Sequence, residues 1–457
     1  MHRLYRIIKH SKPSVMIADH RCGYGSTQTR PRPSWDLSRP RLCRQRVAAS
    51  YVMPQEKLHQ SPVNFSHMLR PGLSNISSRT VGERSYTTTS TETADNDQTA
   101  KIRSWAFELN NSFGKIISNT SFPMRVVPLN PIEFPSSDRI FVHLLLRSPI
   151  SGDKLSNFIK HTFKESCSAD VSLNDDHVLA IEGGFLNEEQ VQNFDNNSLI
   201  LGWYVEIPMS FDLHLKTTGL GHVCVEKFEN QNCDLETERG DCVMKSLKTG
   251  QVTASTQGGS IVSVKSLLGN VSLTTRGEGE IKTGKIQGHV VKLTSEDGTI
   301  TCSDIYANAT TMQSESGDII TGNLHGECNL KSKEGNIKIG SLDGSLHSEL
   351  TRGSLDVYAI RHKDIYINNS EGDIVVKVPN ELKTYVELDG REITIPDKPQ
   401  FADCTREQIE GKMKVTGVIS HCANSNKIYA KADNGKIKIK TLSWFDSLSF
   451  HNIMKEV

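Results

Sequence analysis

The sequence is poor in aromatic residues and carries no net charge. Only 6% of its 457 residues are Phe, Trp or Tyr, and 53 Lys and Arg balance 53 Asp and Glu. A neutral total argues against a chain that binds nucleic acid or a membrane surface along its whole length. The longest apolar run, residues 140–146, is far shorter than the roughly 20 residues that a membrane-spanning helix needs. We therefore predict no transmembrane segment.

Signatures of catalysis and of metal binding are also missing. None of the ten cysteines forms a Cys-x-x-Cys pair, and the chain has no P-loop, no Gly-x-Ser-x-Gly and no His-Glu-x-x-His motif. Gly219 and Gly221 lie between predicted strands, whereas the glycines of a dinucleotide site lie between a strand and a helix. The sequence thus indicates no cofactor, no metal ion and no catalytic residue.

The charge that is present is unevenly distributed. Residues 1–86 hold 15 Lys and Arg but only four acids, whereas residues 87–457 hold 38 basic and 49 acidic residues. The first segment is rich in Ser, Pro and Thr and has no sustained apolar period, so we predict that it is disordered. An Arg-rich, Ser-rich and acid-poor N-terminus is typical of a mitochondrial transit peptide. The alternative is a basic tail that binds nucleic acid or acidic partners.

A candidate cleavage site ends this leader. Arg84, Ser85 and Tyr86 precede Thr87 in the Arg-x-aromatic pattern of matrix processing. Because a compact presequence begins at Met68, we hypothesise that translation starts there and that residues 1–67 are an upstream extension. These features predict a mitochondrial protein of the matrix. Its mature part is acidic, so we expect no nucleic-acid partner for it.

Residues 101–200 predict a small α+β domain. Apolar residues recur at helical spacing over residues 155–163, which indicates one amphipathic helix packed on a sheet. Four further segments have the composition of strands: 125–129, 139–146, 169–173 and 177–181.

From residue 221 the chain repeats a short unit: Gly, any residue, then Ile, Val, Leu or Cys. The unit recurs every 18 to 20 residues. The turn glycines of the nine units are Gly221, Gly240, Gly259, Gly279, Gly298, Gly317, Gly335, Gly353 and Gly372. A second small residue follows nine or ten residues after five of them, at Gly269, Gly288, Ala307, Gly326 and Gly344.

This repeat predicts a mainly β, single-stranded β-solenoid. Helical repeats need about 33–45 residues, and the motifs of leucine-rich repeats and of calcium-binding nonapeptide solenoids are absent. Each glycine can adopt positive φ at a corner, and the third residue of each unit then points inward and stacks on its equivalents. We assign residues 201–445 to the solenoid, with an irregular insertion near 379–411. Gly417 and Gly435 predict one or two further coils, and residues 442–445 a cap.

The strand-like segments 203–208 and 213–219, followed by the ladder of Thr/Ser-x-x-Gly-Asp-Ile units, resemble the putative-adhesin domain family of bacteria. With a presequence in front, the chain also resembles an animal protein family. Members of the bacterial family are β-solenoids, so the resemblance implies a fold but no activity.

Cysteines of the ladder are the first candidates for chemistry. Cys242 and Cys328 occupy inward positions, and Cys224 and Cys233 precede Cys242 at intervals of nine residues. A metal ladder would need His residues nearby, and only His222 is available. We therefore interpret these cysteines as small core residues.

Charged residues of the ladder are the second group of candidate functional residues. Stacked carboxylates after the turn glycines could bind calcium or act as an acid–base pair, but three or four coils separate them and Asp is common beside turn glycines. These carboxylates are Asp241, Asp318 and Asp373. Lysines that alternate with aliphatic residues predict an outward face near the C-terminus, which protects a sheet edge or binds anionic lipid or RNA. They are Lys427, Lys431, Lys436, Lys438 and Lys440.

Taken together, the patterns favour a non-enzymatic scaffold or binding surface for protein partners, with self-association through the solenoid ends. The sequence does not identify these partners. The alternative is an enzyme that acts on a glycan or another extended polymer along the solenoid face. A groove with convergent Asp, Glu, Lys and Arg side chains would favour the enzyme, and a flat face of Thr and Ser would favour the scaffold.

Overall fold

The computed structural model describes residues 84–87, 98–148, 163, 166–187, 194, 199–379, 383–395, 401–409, 411–419 and 426–442. These residues form 23 strands that hydrogen bonds join into one sheet, which confirms the predicted mainly β solenoid. Met68 and most of the predicted presequence lie outside the described residues. Within the described part of the chain, no helix has both the length and the apolar character to cross a membrane.

Nine strands precede the first coil of the glycine ladder. They are β1 Arg84–Thr87, β2 Gln98–Glu108, β3 Lys115–Thr120, β4 Met124–Pro128, β5 Arg139–Ser148, β6 Cys167–Leu173, β7 Val178–Phe185, β8 Ile200–Ile207 and β9 Asp212–Thr217. β4 to β7 correspond to the four predicted strands. The predicted helix over residues 155–163 lies outside the described residues except for Phe163, which is buried.

The leading strands are hydrogen-bonded directly to the ladder. β3 pairs in parallel with both β7 and β9, and β4 pairs in parallel with β8 and with the first ladder strand, β10. β2, β5 and β8 pair in antiparallel fashion beside them. The candidate cleavage residues Arg84, Ser85 and Tyr86 lie in β1, which pairs with β2.

Ten strands make up the glycine ladder. They are β10 Val223–Glu226, β11 Glu229–Thr237, β12 Cys242–Thr256, β13 Ile261–Thr275, β14 Ile281–Ser295, β15 Ile300–Ser314, β16 Ile319–Glu334, β17 Ile337–Arg352, β18 Leu355–Glu371 and β19 Ile374–Pro379. From β12 to β18 each strand bends around nearly a whole coil, and each pairs in parallel with the next.

The aliphatic residue of each unit stacks in the core, as the pattern predicts. Ile281 pairs with Ile300, and Ile300 pairs with Ile319, so equivalent side chains form a column through the coils. All three side chains are fully buried. Every coil thus contributes its apolar residues to one continuous core with its neighbours.

The turn glycines form a second column. Most of them are required because the backbones of successive coils approach closely there, and not because φ is positive. Of the nine turn glycines, Gly335, Gly353 and Gly372 have positive φ. A Cβ on Gly259 would lie only 2.1 Å from the carbonyl oxygen of Gly240 in the preceding coil. Gly317 would meet Gly298 at 2.2 Å in the same way. The ladder therefore needs glycine because the corners of successive coils are in contact.

Four strands form the C-terminal end of the solenoid. They are β20 Thr384–Thr394, β21 Phe401–Ile409, β22 Lys412–Ile419 and β23 Lys427–Leu442. β23 is the last coil, because Ile437 pairs with Ile374 and Gly435 stacks on Gly372. Gly417 instead lies in β22, which is antiparallel to β20 and β21. Of the predicted cap, only Leu442 is among the described residues.

Candidate binding groove

The inward cysteines are core residues in the structure. Cys242 is fully buried and Cys328 is 4% exposed. Burial raises the pKa of both thiols to about 12, so they stay protonated and unreactive at neutral pH. In the described part of the chain, no group of three or more His, Cys, Asp or Glu side chains is placed to hold a metal ion.

The turn carboxylates bind backbone and not one another. Asp241 Oδ1 accepts a hydrogen bond from the backbone N–H of Ser260 at 2.8 Å, and Asp318 Oδ1 accepts one from Asn336 at 2.7 Å. Asp373 does the same for Lys436 at 2.9 Å. Each carboxylate therefore joins its turn to the equivalent turn of the next coil, as a turn residue does.

The C-terminal lysines form an outward face, as predicted. They alternate with buried residues of β23 such as Ile428 and Ile437. Lys436 Nζ lies 2.7 Å from Glu392, and Lys431 Nζ lies 3.0 Å from Asp433. This face is therefore partly neutralised by carboxylates of the same region, which weakens its attraction for a polyanion.

Sequence reasoning did not predict a groove at the second corner of the coils. The second small residue of each repeat lies on the floor of this groove, with one coil stacked on the next: Gly288 pairs with Ala307, and Gly326 pairs with Gly344. A Cβ on Gly344 would lie 2.0 Å from the oxygen of Gly326. We call this feature the corner groove; its floor is Gly269, Gly288, Ala307, Gly326 and Gly344.

Two hollows follow this floor. The first hollow, of about 620 Å³, is lined by Gly269, Gly288 and Ala307. The second hollow, of about 610 Å³, is lined by Ala307, Gly326 and Gly344. Both are lined by Ala307 and Asn308, so they are two stretches of one groove. Volumes of this size are typical of ligand sites. The corner groove therefore extends along the solenoid axis and is open to solvent.

One wall of the corner groove consists of the residues that immediately precede the floor positions. Tyr306 stacks on His325 with ring centroids 4.4 Å apart, and Lys285 Nζ lies over the Tyr306 ring, 4.9 Å from its centroid. His325 Nδ1 lies 3.4 Å from Asp343, whose carboxylate also accepts a hydrogen bond from Arg361. Because Tyr306, His325, Asp343 and Arg361 follow one another at intervals of 18 or 19 positions, only the stacking of the coils brings them together.

The opposite wall is polar and exposed. His289, Asn308, Glu327 and Lys363 line it, and Asn308 Nδ2 lies 3.3 Å from His289 Nδ1. The sequence signal for this wall was weak, because these residues differ in type from one coil to the next. A polar residue after each second small residue was the only available indication.

A second group of polar side chains lies on the outer face of the sheet formed by β2, β5, β8 and β4, which we call the leading sheet. This group is largely shielded from solvent. His143 stacks on Tyr204, and Arg125 Nη2 donates a hydrogen bond to Glu226 at 2.5 Å. Burial, helped by the positive charge of Lys101, lowers the pKa of His143 to about 4. Burial also raises the pKa of Glu206, although Lys101 opposes this. His143, Tyr204 and Glu206 are less than 10% exposed, and the side chain of Glu226 is 12% exposed, so the corner groove is the more accessible site.

In a comparison with known protein families, residues 260–440 match the model of the family Toastrack DUF4097. This match supports the predicted kinship with adhesin-like β-solenoids. A crystal structure described as a putative adhesin from Parabacteroides merdae is 9% identical, with a TM-score of 0.29, and the match covers 59% of this chain and 94% of that one. A second, from Bacteroides fragilis, is 10% identical with a TM-score of 0.27, covering 74% and 96%.

Proposed function

We propose that this protein is a non-enzymatic β-solenoid scaffold whose corner groove binds a partner. The observation that carries the proposal is the continuous groove, in which a floor of small residues lies between polar walls. A groove that crosses several coils suits an extended partner, as the concave surfaces of solenoids generally do.

The arrangement of the acids favours binding over catalysis. Asp343, which immediately precedes the floor residue Gly344, already contacts both Arg361 and His325. A general acid or base must be able to exchange a proton with its substrate. The alternative function, an enzyme that acts on a glycan or similar polymer, would need a further acid in this groove, and Glu327 is the candidate.

The experiment compares partner sets in cells. We expect proximity labelling by the full chain to mark a specific group of proteins, and a Tyr306→Ala/His325→Ala variant to lose that group. Lys292→Ala is the matched control, because Lys292 is exposed on the same solenoid but does not line the groove. Identical labelling by the wild type and the double variant would refute the groove as the binding surface.

Mitochondrial localisation is part of the proposal and is supported by the Arg-rich leader and by Arg84, Ser85 and Tyr86 at its end. Kinship with an animal protein family, suggested by the same arrangement, also stays a prediction. Protease protection of the tagged chain inside purified mitochondria is the expected result. A secreted or nuclear protein would contradict it.

Self-association through the solenoid ends also stays a proposal. The exposed strand β21 is unsuited to it, since Asp403 has a positive φ of 49° in an irregular stretch of the pairing with β22. Irregular, charged edges of this kind resist pairing with another chain.

A further inference from the structure

The floor of the corner groove ends at a buried histidine. His362 pairs with Gly344, so it occupies the position that small residues hold in the preceding coils. Its side chain lines the second hollow and is only 6% exposed. At this end the floor therefore carries an imidazole side chain in place of a small residue.

The hydrogen bonding of His362 determines its tautomer, and therefore which ring nitrogen can accept a hydrogen bond. Nδ1 lies 2.6 Å from the carbonyl oxygen of Lys363, which can only accept, so Nδ1 carries the proton. Burial lowers the pKa of His362, although the bond to Lys363 opposes this, and the ring stays neutral. Nε2 is then an acceptor, and it is buried without a partner in the described part of the chain. A buried acceptor without a donor lowers stability by its desolvation penalty, so a ligand that donates a hydrogen bond to Nε2 would be favoured at this end of the groove.

The charges around His362 restrict the ligand that can supply this donor. Arg361 and Lys363 flank the histidine and repel an ammonium or guanidinium group. Glu327 and Asp343 line the same hollow and repel a phosphate or carboxylate. A neutral hydroxyl group satisfies both conditions, because it donates to Nε2 and to carboxylates and accepts from Arg and Lys.

The first hollow is suited to the same chemistry. Gln287, Asn308 and Tyr306 line it, and their amide and phenol groups both donate and accept hydrogen bonds. A peptide strand is a poorer fit, because it would need unpaired backbone groups at a sheet edge. The floor positions are already paired from coil to coil, for example Gly326 with Gly344.

We propose that the corner groove binds a neutral, hydroxyl-rich glycan strand, and that His362 Nε2 accepts a hydrogen bond from one of its hydroxyl groups. This inference rests on the proposed function of the groove. Since Nε2 is shielded from water, the ligand reaches it only when the surrounding rim side chains move aside. Side-chain adjustments of this kind are common on binding.

Isothermal titration of the full chain tests the inference. The probes are the neutral glucose oligomers maltohexaose, cellohexaose and laminarihexaose, with a heparin hexasaccharide as the anionic comparison. We expect at least one neutral oligomer to bind. His362→Phe should weaken that binding about tenfold, the effect of one lost hydrogen bond, and His362→Gln should restore part of it through its amide oxygen.

Two further variants guard against a folding artefact. Gln287 is exposed, so Gln287→Ala should keep the fold and still weaken binding, whereas Lys292→Ala should leave it unchanged. The inference is overturned if no neutral oligomer binds, if heparin binds more tightly, or if His362→Phe and Gln287→Ala bind normally. In the last case a structural water supplies the donor to Nε2. A partner set that still depends on Tyr306 and His325 would then uphold the groove as a protein-binding surface.

Discussion

Single residues in this solenoid are constrained by the coil above and the coil below. Thr256 shows how: its Oγ1 accepts a hydrogen bond from the Gly259 N–H at 2.9 Å and donates one to the carbonyl oxygen of Gly240 at 3.3 Å. Ser314 accepts a similar bond from Gly317 at 2.8 Å. At these two corners the Thr or Ser three residues before the turn glycine therefore satisfies the backbone where there is no room for a side chain.

The contact between corners predicts different effects at two adjacent glycines. Gly259→Ala places a Cβ 2.1 Å from the Gly240 oxygen, so we expect it to lower the free energy of unfolding by about 1–3 kcal/mol. Gly258→Ala meets nothing closer than Arg239 Cγ at 3.5 Å, an ordinary contact, and should change the free energy of unfolding by about 0.5 kcal/mol or less. Urea unfolding followed by circular dichroism measures both. Equal losses would show that close stacking is not the constraint.

Strands differ in how far their outer face is exposed. On most coils the outer side chains are in solvent, but across β5, β8 and β4 the row of His143, Tyr204 and Arg125 is buried. The pairing of these strands brings titratable groups together in a poorly solvated place, which shifts their pKa values. Such a row makes the leading sheet sensitive to pH.

His143 should lower stability as the solution becomes acidic. Its pKa is about 4 in the folded protein and about 6.5 when unfolded, so the unfolded chain binds the proton first. Its contribution is complete above pH 6.5 and is lost as the pH falls from about 6.5 towards 4. Between pH 7.5 and 5 we expect the free energy of unfolding to fall by about 2 kcal/mol on this account.

His143→Asn, which cannot bind that proton, isolates the effect. Burial also lowers the pKa of His222 and His362, so the wild type and the variant share the rest of the pH dependence. Urea unfolding at the two pH values gives the difference between them. The same loss in both proteins would assign the pH dependence to other groups.

At the scale of the whole molecule, the solenoid is a stack of nearly equivalent coils. Each coil contacts mainly its two neighbours, so stability depends on those interfaces. The two ends differ: antiparallel strands β2, β5 and β8 flank the first coils, and the β20, β21 and β22 group covers the last.

Removal of one whole coil should therefore be tolerated. Deletion of residues 298–316 brings Gly317 onto Gly279 and Ile319 onto Ile281, which keeps the columns in register. We expect the far-ultraviolet circular dichroism of a folded β protein. Deletion of residues 298–307 is the control, and it should unfold or aggregate because it breaks the register. Loss of structure in both would mean that the coils are not interchangeable.

Much of the fold could be predicted because the constraints on it are local and repeated. A glycine every 18 to 20 residues with an aliphatic residue two positions later determines the coil length and the core column, as Ile281, Ile300 and Ile319 show. The position of the last coil could not be predicted in the same way. Gly417 and Gly435 have similar neighbours in sequence, but only Gly435 stacks on the ladder.

The sequence alone therefore determined the repeat, the inward column and the absence of recognisable catalytic motifs. The tertiary structure decided where a groove exists, because the concave side of a corner depends on how bent strands stack. It placed Tyr306, His325 and Asp343, which are far apart in the chain, on one wall. It also placed His362 over Gly344, with an acceptor that none of the described residues satisfies. A one-dimensional pattern shows that coils stack, but not which side chains then share a surface.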